Sequence, residues 1–303
     1  MTEFTLDSPP PALQEVAYLS RSANRVVILD ALTSAPQPRR QLAEETETSR
    51  TTLDRIVNEL EERGWAERTS NGEYVATPSG RQLMAQFRPF LESVEALRRL
   101  GGAVDWLPHD ELSIGLEHFS DAVVWEPPSD DPVETVEFMN ELIAGASRFR
   151  VLSHLAPPEP LGSTFHDGVT SGRLVMDGVA TDGLLAFLNE HPERAARWRE
   201  SVRSGTTLYR TAGPIPCNLW IIDETVLIKQ SGPGPIDESY GVPIVSDDET
   251  VRAWANELID EWQATGTRVD ADTFAPHRST SDADGEGSTV RDETVGETPD
   301  TKP

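Results

Sequence analysis

Cysteine is nearly missing from this chain of 303 residues: Cys217 is the only one. No disulfide and no multi-cysteine metal site can form within the chain. Beside the apolar run NLWII, Cys217 is expected to act as a small buried hydrophobe and not as a redox sensor. Lysine is almost as scarce. Of 26 basic residues only Lys229 and Lys302 are lysines, and 52 acidic residues bring the net charge to −26. That lies far outside the magnitude of about 2–8 that suits a small domain. An acidic, lysine-poor surface is what a halophilic protein carries, because screening shrinks to about 3 Å at 1 M salt. Long apolar runs are missing too. None approaches the roughly 18 residues needed to span a bilayer, and MTEFTLDSPPPA lacks the positive start and apolar core of a secretory leader. No membrane association is expected, and the protein should be cytoplasmic.

Catalytic patterns are equally thin. The six histidines, at 109, 118, 154, 166, 191 and 277, show no i, i+4 pair and no HExxH spacing, so no zinc site is expected. Neither GxSxG nor GxxxxGK[ST] occurs, and GPGP at 232–235 holds too much proline for a phosphate-binding amide nest. STFHD at 163–167 sets a hydroxyl, an imidazole and a carboxylate close in sequence. Triads assemble in space and not by adjacency, so this stretch is expected to be a polar loop. The expectation is no enzyme, no cofactor and no metal.

What is present is concentrated in residues 39–80, RRQLAEETETSRTTLDRIVNELEERGWAERTSNGEYVATPSG. In SRTTLDRIVNELEERG, Leu53, Ile56, Val57 and Leu60 recur at i, i+3, i+4 and i+7, the signature of one buried helix face. The opposite face carries Thr51, Arg55 and Asn58, with Arg50 and Thr52 flanking at the N-terminal end. Hydroxyl, amide and guanidinium groups of this kind hydrogen-bond base edges and phosphates. Ser49 suits the N-cap. Leu42 and Ala43 supply the inner face of a supporting helix that should end near Thr46. Asn71-Gly72, between residues 65–68 and 73–77, is a strong two-residue hairpin signal. Helix, turn, helix and hairpin in that order make a winged helix-turn-helix, with Val16, Leu19, Val26, Val27, Leu29 and Leu32 covering its core. The expected partner is double-stranded DNA. Thr51, Thr52, Arg55 and Asn58 should face the major groove, and Arg39, Arg40, Ser49, Arg50, Arg68 and Thr69 should steady the helix and the backbone contact.

Charge distribution removes an apparent conflict. Residues 1–100 hold 12 basic and 15 acidic groups (net −3), while residues 101–303 hold 14 and 37 (net −23). The DNA-reading end is close to neutral.

YLSRSANRVVILDAL, SRTTLDRIVNELEERGW and TPSGR resemble the N-terminal winged helix of archaeal transcriptional regulators, a group akin to bacterial repressors of the arsenic-sensing and isocitrate-lyase-regulator types. Residues 101 to about 268 resemble the sensor domain of methanogenesis-type archaeal regulators, through SRFRVLSHL, GRLVMDG, TTLYRT, NLWIIDETVLI and ETVRAWANELIDEW. The resemblance covers nearly the whole chain apart from its tail and implies a regulator with a sensing domain. Related archaeal sensor folds resemble phospholipase-D-like domains, whose signature is a His and a Lys two apart. No His here is followed by Lys at that distance.

The fold class expected is α+β: a winged helix-turn-helix domain over residues 1–78, a linker helix over 79–100, an αβ sandwich over 101–269 and a disordered acidic tail over 270–303. Pro89 should kink the linker helix or divide it into two. Its series Leu83, Phe87, Phe90, Val94 and Leu97 is expected to pair two chains into a homodimer. In the sandwich, Asp131-Pro132 should open a helix. Strands are expected over 149–155, 173–176, 206–210, 218–222 and 225–229. Thr181 should cap one helix, Ser246 with Glu249 another, and a further helix should start at Pro192. Its Arg194, Arg197, Arg199 and Arg203 are expected to form a solvated face. A small-molecule effector would be sought near Tyr209, Asn218, Trp220, Ser231 and Tyr240. Two other readings stay open here: an enzyme or small-molecule binder whose winged helix only pairs chains, and a protein-interaction adaptor.

Overall fold

The computed structural model describes residues 10–127, 132–231 and 242–274. The N-terminal domain is a winged helix of α1 (Pro11–Ser20), α2 (Ala23–Ser34), α3 (Arg39–Glu45), α4 (Arg50–Glu62), the hairpin β1 (Ala66–Arg68) and β2 (Tyr74–Ala76), and the start of α5 (Pro78–Leu100). Leu19, Ile28, Leu29, Leu32, Leu42, Leu53, Ile56 and Leu60 are all fully buried in its core. Val16 and Val27, expected inside, are exposed, while Ile28 takes the inward place beside Leu29. Helix α4 ends in a Schellman motif. Gly64 sits at φ +71°, its N–H donates to Glu61, and the N–H of Trp65 donates back to Leu60, which satisfies carbonyls the helix would leave open.

The wing differs from the two-residue hairpin expected at Asn71-Gly72. Thr69 pairs with Glu73 through a 2.8 Å backbone bond, and Gly72 N–H reaches Thr69 O at 3.0 Å. The loop is therefore one residue longer, a turn closed by Gly72 at φ +84°, which only glycine adopts at little cost. Gln37 adds a backbone pair to Tyr74 on the far side of β2.

Helix α5 joins the two domains. Met84 and Phe87 belong to the winged-helix core, and Ala96 and Leu100 to the core of the second domain. Of the two expectations at Pro89, the single helix is the one observed. The apolar series along it splits: Phe87 is buried, whereas Phe90, Val94 and Leu97 are exposed.

The second domain is built on β3 (Val123–Val124), α6 (Pro132–Gly145), β4 (Arg148–Ser153), α7 (Glu159–Thr170), β5 (Val175–Thr181), α8 (Asp182–Glu190), α9 (Pro192–Arg203), β6 (Thr207–Thr211), β7 (Cys217–Ile222), β8 (Thr225–Gln230), β9 (Ile244–Ser246), α10 (Glu249–Thr265) and β10 (Thr267–Arg268). Among the described residues these strands form one eight-stranded sheet in the order β10-β6-β5-β4-β7-β8-β9-β3. The β4–β5 and β5–β6 pairs are parallel and the others antiparallel. Strand β7 shows how two layers of helix cover it. Leu219 and Ile221 pack with α10 and the end of α5, while Trp220 and Ile222 pack with α6 and α7. A strand buried on both faces carries such a continuous apolar run.

Several boundaries moved. The strand expected at 173–176 is Val175–Thr181, because Arg173 turns back to donate to the carbonyls of Ile143 and Ala146. Asp248, not Ser246, caps α10, accepting from the N–H groups of Thr250 and Val251; Ser246 Oγ accepts from Asp248 N–H one step earlier. Thr181 caps α8 as expected, through Leu184 N–H at 3.2 Å. Ordered chain continues past 269. Residues Ala271–Phe274 form a 3-10 turn, and Phe274 is fully buried against Trp198. The rest of the expected tail and the capping role of Asp131 lie outside the described residues. No helix among the described residues is long and apolar enough to cross a membrane.

Candidate nucleic-acid interface

Helix α4 presents the face that its sequence predicts. Leu53, Ile56, Val57 and Leu60 are buried, and Arg50, Thr51, Arg55 and Asn58 are exposed on the other side. Ser49 caps the helix by accepting from Thr52 N–H at 3.3 Å, and its own hydroxyl donates to Thr52 Oγ1 at 2.9 Å. Thr52 is thus half-buried in the cap, with a preset hydroxyl. Arg50, Thr51 and Asn58 make no side-chain hydrogen bond or ion pair among the described residues and project into solvent.

The remaining arginines are already engaged. Arg39 of α3 pairs with Asp54 of α4, tying the two helices of the motif together. Arg40 pairs with Glu44 at 2.9 Å and Arg55 with Glu59 at 2.6 Å, both i, i+4. Glu59 is a hub: Arg25 reaches its other oxygen at 3.2 Å and Tyr18 Oη donates to it at 2.9 Å. Partial burial pulls the Glu59 carboxyl upward, yet the Tyr18 and Arg55 hydrogen bonds outweigh it and hold the group below the usual carboxylate range. Tyr18 moves the other way, pushed up to about 12 by burial and by the Glu59 charge. Arg25 and Arg63 both stack on the Tyr18 ring, at 4.0 and 3.9 Å. Periodicity cannot reveal this hub, since Tyr18 and Glu59 are 41 residues apart.

On the wing, Arg68 is exposed, lies over the Tyr74 ring at 5.8 Å and places Nε 3.4 Å from Gly72 O. Thr69 Oγ1 accepts from Glu73 N–H at 3.2 Å, so it shapes the wing loop. The expected contact residues from α3, α4 and the wing thus share one domain, in two groups: Arg50, Thr51 and Asn58 are open, while Arg39, Arg40 and Arg55 would have to exchange a carboxylate for DNA.

The expected effector residues come together only in part: Asn218 and Ser231 both contact His154, and Trp220 shares the sheet face of Asn218, but Tyr209 lies apart. Tyr209 belongs to the layer under α10, while Trp220 faces the opposite layer with Phe149 and Phe165. Asn218 is fully buried and structural. Its Oδ1 accepts from Ser153 Oγ and His154 N–H, and its Nδ2 donates to Gln230 O. Ser231 Oγ lies 3.4 Å from His154 Nδ1. Tyr240 falls outside the described residues. Alternation along a strand sends neighbours to opposite faces, which nearness in sequence ignores.

Two expectations about α7 and α9 are overturned. Residues 163–167 are not a loop but the middle of α7. There Phe165 is buried and Ser163 accepts from Arg197 at 2.9 Å. Of the α9 arginines only Arg203 is solvated as expected. Arg194 and Arg197 retain only 14% and 24% side-chain exposure on Glu159, and Arg199 donates to Phe274 O. Cys217 is fully buried, and burial pushes its thiol up to about 12. Among the described residues no group of three or more His, Cys, Asp or Glu is placed to hold a metal ion.

Two family models match this chain. That of the HVO_A0261 N-terminal domain covers residues 13–99, the winged helix through α5. That of the middle domain of the methanogenesis regulatory protein FilR1 covers residues 132–265, the sheet and its helices. The chain joins an HVO_A0261-type N-terminal domain to a FilR1-type middle domain. None of the curated proteins matches it. Among solved structures, it is similar at 15% identity to TrmBL2, an archaeal chromatin protein, over 84% of this chain and 99% of that one, with a TM-score of 0.38. IdeR from T. acidophilum shares 17% identity over 74% and 98% of the two chains, with a TM-score of 0.21. The O-methyltransferase NcsB1 of neocarzinostatin biosynthesis shares 17% over 66% and 85%, with a TM-score of 0.23. At these scores the likenesses carry nothing about function.

Proposed function

We propose that this chain is a sequence-specific DNA-binding transcriptional regulator, not an enzyme, that acts as a homodimer and responds through its C-terminal domain to a small-molecule effector. The observation that carries the reading is helix α4. It is the second helix of a helix-turn-helix, buried on one face and open on the other, where Arg50, Thr51 and Asn58 are exposed and Arg55 is held by a neighbouring carboxylate. The FilR1-type domain behind it is named for a regulatory protein, which supports the same reading.

In this reading α4 lies in the major groove of double-stranded DNA. Thr51, Thr52, Arg55 and Asn58 read base edges, and Arg39, Arg40, Arg50, Arg68 and Thr69 steady the phosphates. Exposed Phe90, Val94 and Leu97 along α5 form the stripe on which two chains pair. A two-fold pair would present two α4 helices to adjacent half-sites.

Arg55→Ala tests the reading. A bidentate contact to guanine is worth about 1–3 kcal/mol, so affinity for the best operator should fall far more than affinity for random DNA. Titration of both DNAs measures this. Equal losses on the two would demote Arg55 to a phosphate contact, and no binding to any DNA would overturn the reading.

A further inference from the structure

Three small cavities lie between the sheet, α7 and α9, and Trp198 lines all of them. The innermost, of about 30 Å³, is walled by Phe149, Phe165, Met176, Leu184, Trp198 and Trp220 among others. The next, of about 20 Å³, has Pro157, Glu159, Arg194 and Arg197 at its rim. The third, of about 10 Å³, shares Phe165, Met176 and Trp198 with the first and Arg197 with the second. As they stand, each holds a water or two at most. Their common partition is one indole ring. If Trp198 swings aside, they merge into one chamber with an apolar floor and a polar mouth, to which Arg194, Arg197, His166 and Ser201 contribute.

The mouth already holds a carboxylate. Arg194 Nε donates to one oxygen of Glu159 at 2.8 Å and Arg197 Nη2 pairs with the other. The Pro157 carbonyl accepts a further bond from Arg194, and the Ser163 hydroxyl one from Arg197. The arginines are mostly buried, whereas Glu159 keeps 52% side-chain exposure and is the member of the cluster nearest solvent. Two mostly buried guanidiniums, each bound to a different oxygen of one carboxylate, form a seat for a planar carboxylate, which Glu159 occupies from within the chain.

The chamber constrains the rest of the ligand. Its innermost wall is aromatic and aliphatic, with Ser153 the lone hydroxyl-bearing residue, and that hydroxyl is engaged with Asn218 and Leu155. Trp220 Nε1 in this wall is buried without a partner and can serve one acceptor, but most hydroxyls of a sugar or nucleoside would still be buried without partners, at a cost of roughly 1–3 kcal/mol each. An apolar body meets no such penalty.

We propose that this face is the effector site, and that its ligand is a small aromatic or branched-chain monocarboxylate. The ligand carboxylate takes Arg194 and Arg197 from Glu159 while the apolar body enters past Trp198. The inference rests on the regulator reading only for the word effector; the binding site stands on its own geometry.

The test uses the full chain in molar potassium chloride, titrated with phenylacetate, indole-3-acetate and isovalerate. The matching amides and benzylphosphonate serve as controls, and the readouts are tryptophan fluorescence and thermal midpoint. At least one carboxylate should bind saturably, about tenfold or more tighter than its amide and than the phosphonate. Glu159→Gln should tighten that binding by about tenfold, because the internal competitor loses its charge, and Arg197→Gln should weaken it by as much. A carboxylate that binds no better than its amide in the wild-type chain overturns the proposal, and that comparison needs no variant to fold. Tighter binding of the phosphonate overturns the ligand class. If a carboxylate binds but operator affinity does not change, the site is supported and the effector role in the regulator reading fails.

Discussion

The cations of α3, α4 and the wing differ from those at the centre of the sheet domain. In the winged helix, Arg40, Arg50, Arg55 and Arg68 are exposed, and the pairs of Arg40 and Arg55 come from four residues along the same helix. In the sheet domain Arg150 and Lys229 are sunk, while Arg148, Arg173, Arg203, Arg210 and Arg268 stay exposed. Arg150 has 8% side-chain exposure and bonds Asp177, Asn256 and Asp260, from residues 27 to 110 positions away. Lys229 is 2% exposed, with Nζ over the Trp220 ring at 5.5 Å. Surface pairs of the first kind are worth about 0–1 kcal/mol and exchange easily for another anion. Breaking a buried pair of the second kind costs about 3–5 kcal/mol. The first arrangement leaves a surface open to another anion, and the second pins a helix to a sheet.

The contrast can be broken most forcefully at the cores. Leu53 is fully buried beneath α4, so Leu53→Ala should cost about 2–5 kcal/mol and confine the damage to the winged helix. Calorimetry should then show two transitions, the lower belonging to the N-terminal domain. A single transition shifted as a whole would mean that α5, which contributes to both cores, couples the domains into one unit.

Lys229 supplies the next largest effect, and its sign is opposite to that of Tyr18. Burial lowers the Lys229 pKa from 10.5 to about 8. The unfolded chain binds the extra proton between those values, so stability rises with pH across that window. The penalty is fully present below about pH 8 and is on the order of 3 kcal/mol. Sheet-domain stability should therefore climb between about pH 8 and pH 10, and that climb should be missing in Lys229→Met. In the winged helix, Tyr18 is raised from 10.0 to about 12. Its contribution is fully present below pH 10 and is lost as pH climbs through 12. Denaturant midpoints at pH 7, 8.5 and 9.5 check the first sign; a sheet domain that weakens steadily over that range refutes it.

Self-association sharpens the comparison at the helix between the domains. Val94 is exposed in the middle of the Phe90–Val94–Leu97 stripe, so Val94→Asp should dissociate the chain to a monomer while leaving the winged-helix melt within about 0.5 kcal/mol. Light scattering at matched concentration decides it. An unchanged dimer would move the contact elsewhere.

The smallest effect expected is on salt. A basic DNA reader loses affinity with a log–log slope near −0.9 per neutralised phosphate. Here Arg39, Arg40 and Arg55 must first release Asp54, Glu44 and Glu59. Those carboxylates then take up cations, which opposes the release at the phosphates. Operator affinity across a molar-range potassium series should be nearly flat. A steep negative slope would show that the ion pairs stay closed, with unpaired Arg50 and Arg68 carrying the contact.

By itself the sequence determined the winged helix and the buried and open faces of α4. Both rest on the 3.6-residue period and on the Ser49 cap, which act within one or two turns of chain. It also determined most strands of the second domain, whose apolar runs need no partner to be recognised. Tertiary structure decided the rest. The loop length of the wing depended on the Thr69–Glu73 pair. Ordered chain to Phe274 depended on Trp198 of α9. Placement of Tyr209 on the opposite face of the sheet from Trp220 depended on strand register. Above all, the seat of Arg194 and Arg197 on Glu159, about 35 residues upstream, exists only because α7 and α9 pack side by side. Local periodicity says which side of a helix is inside, but a site built from two helices is set by what each inside faces, and that is a long-range property.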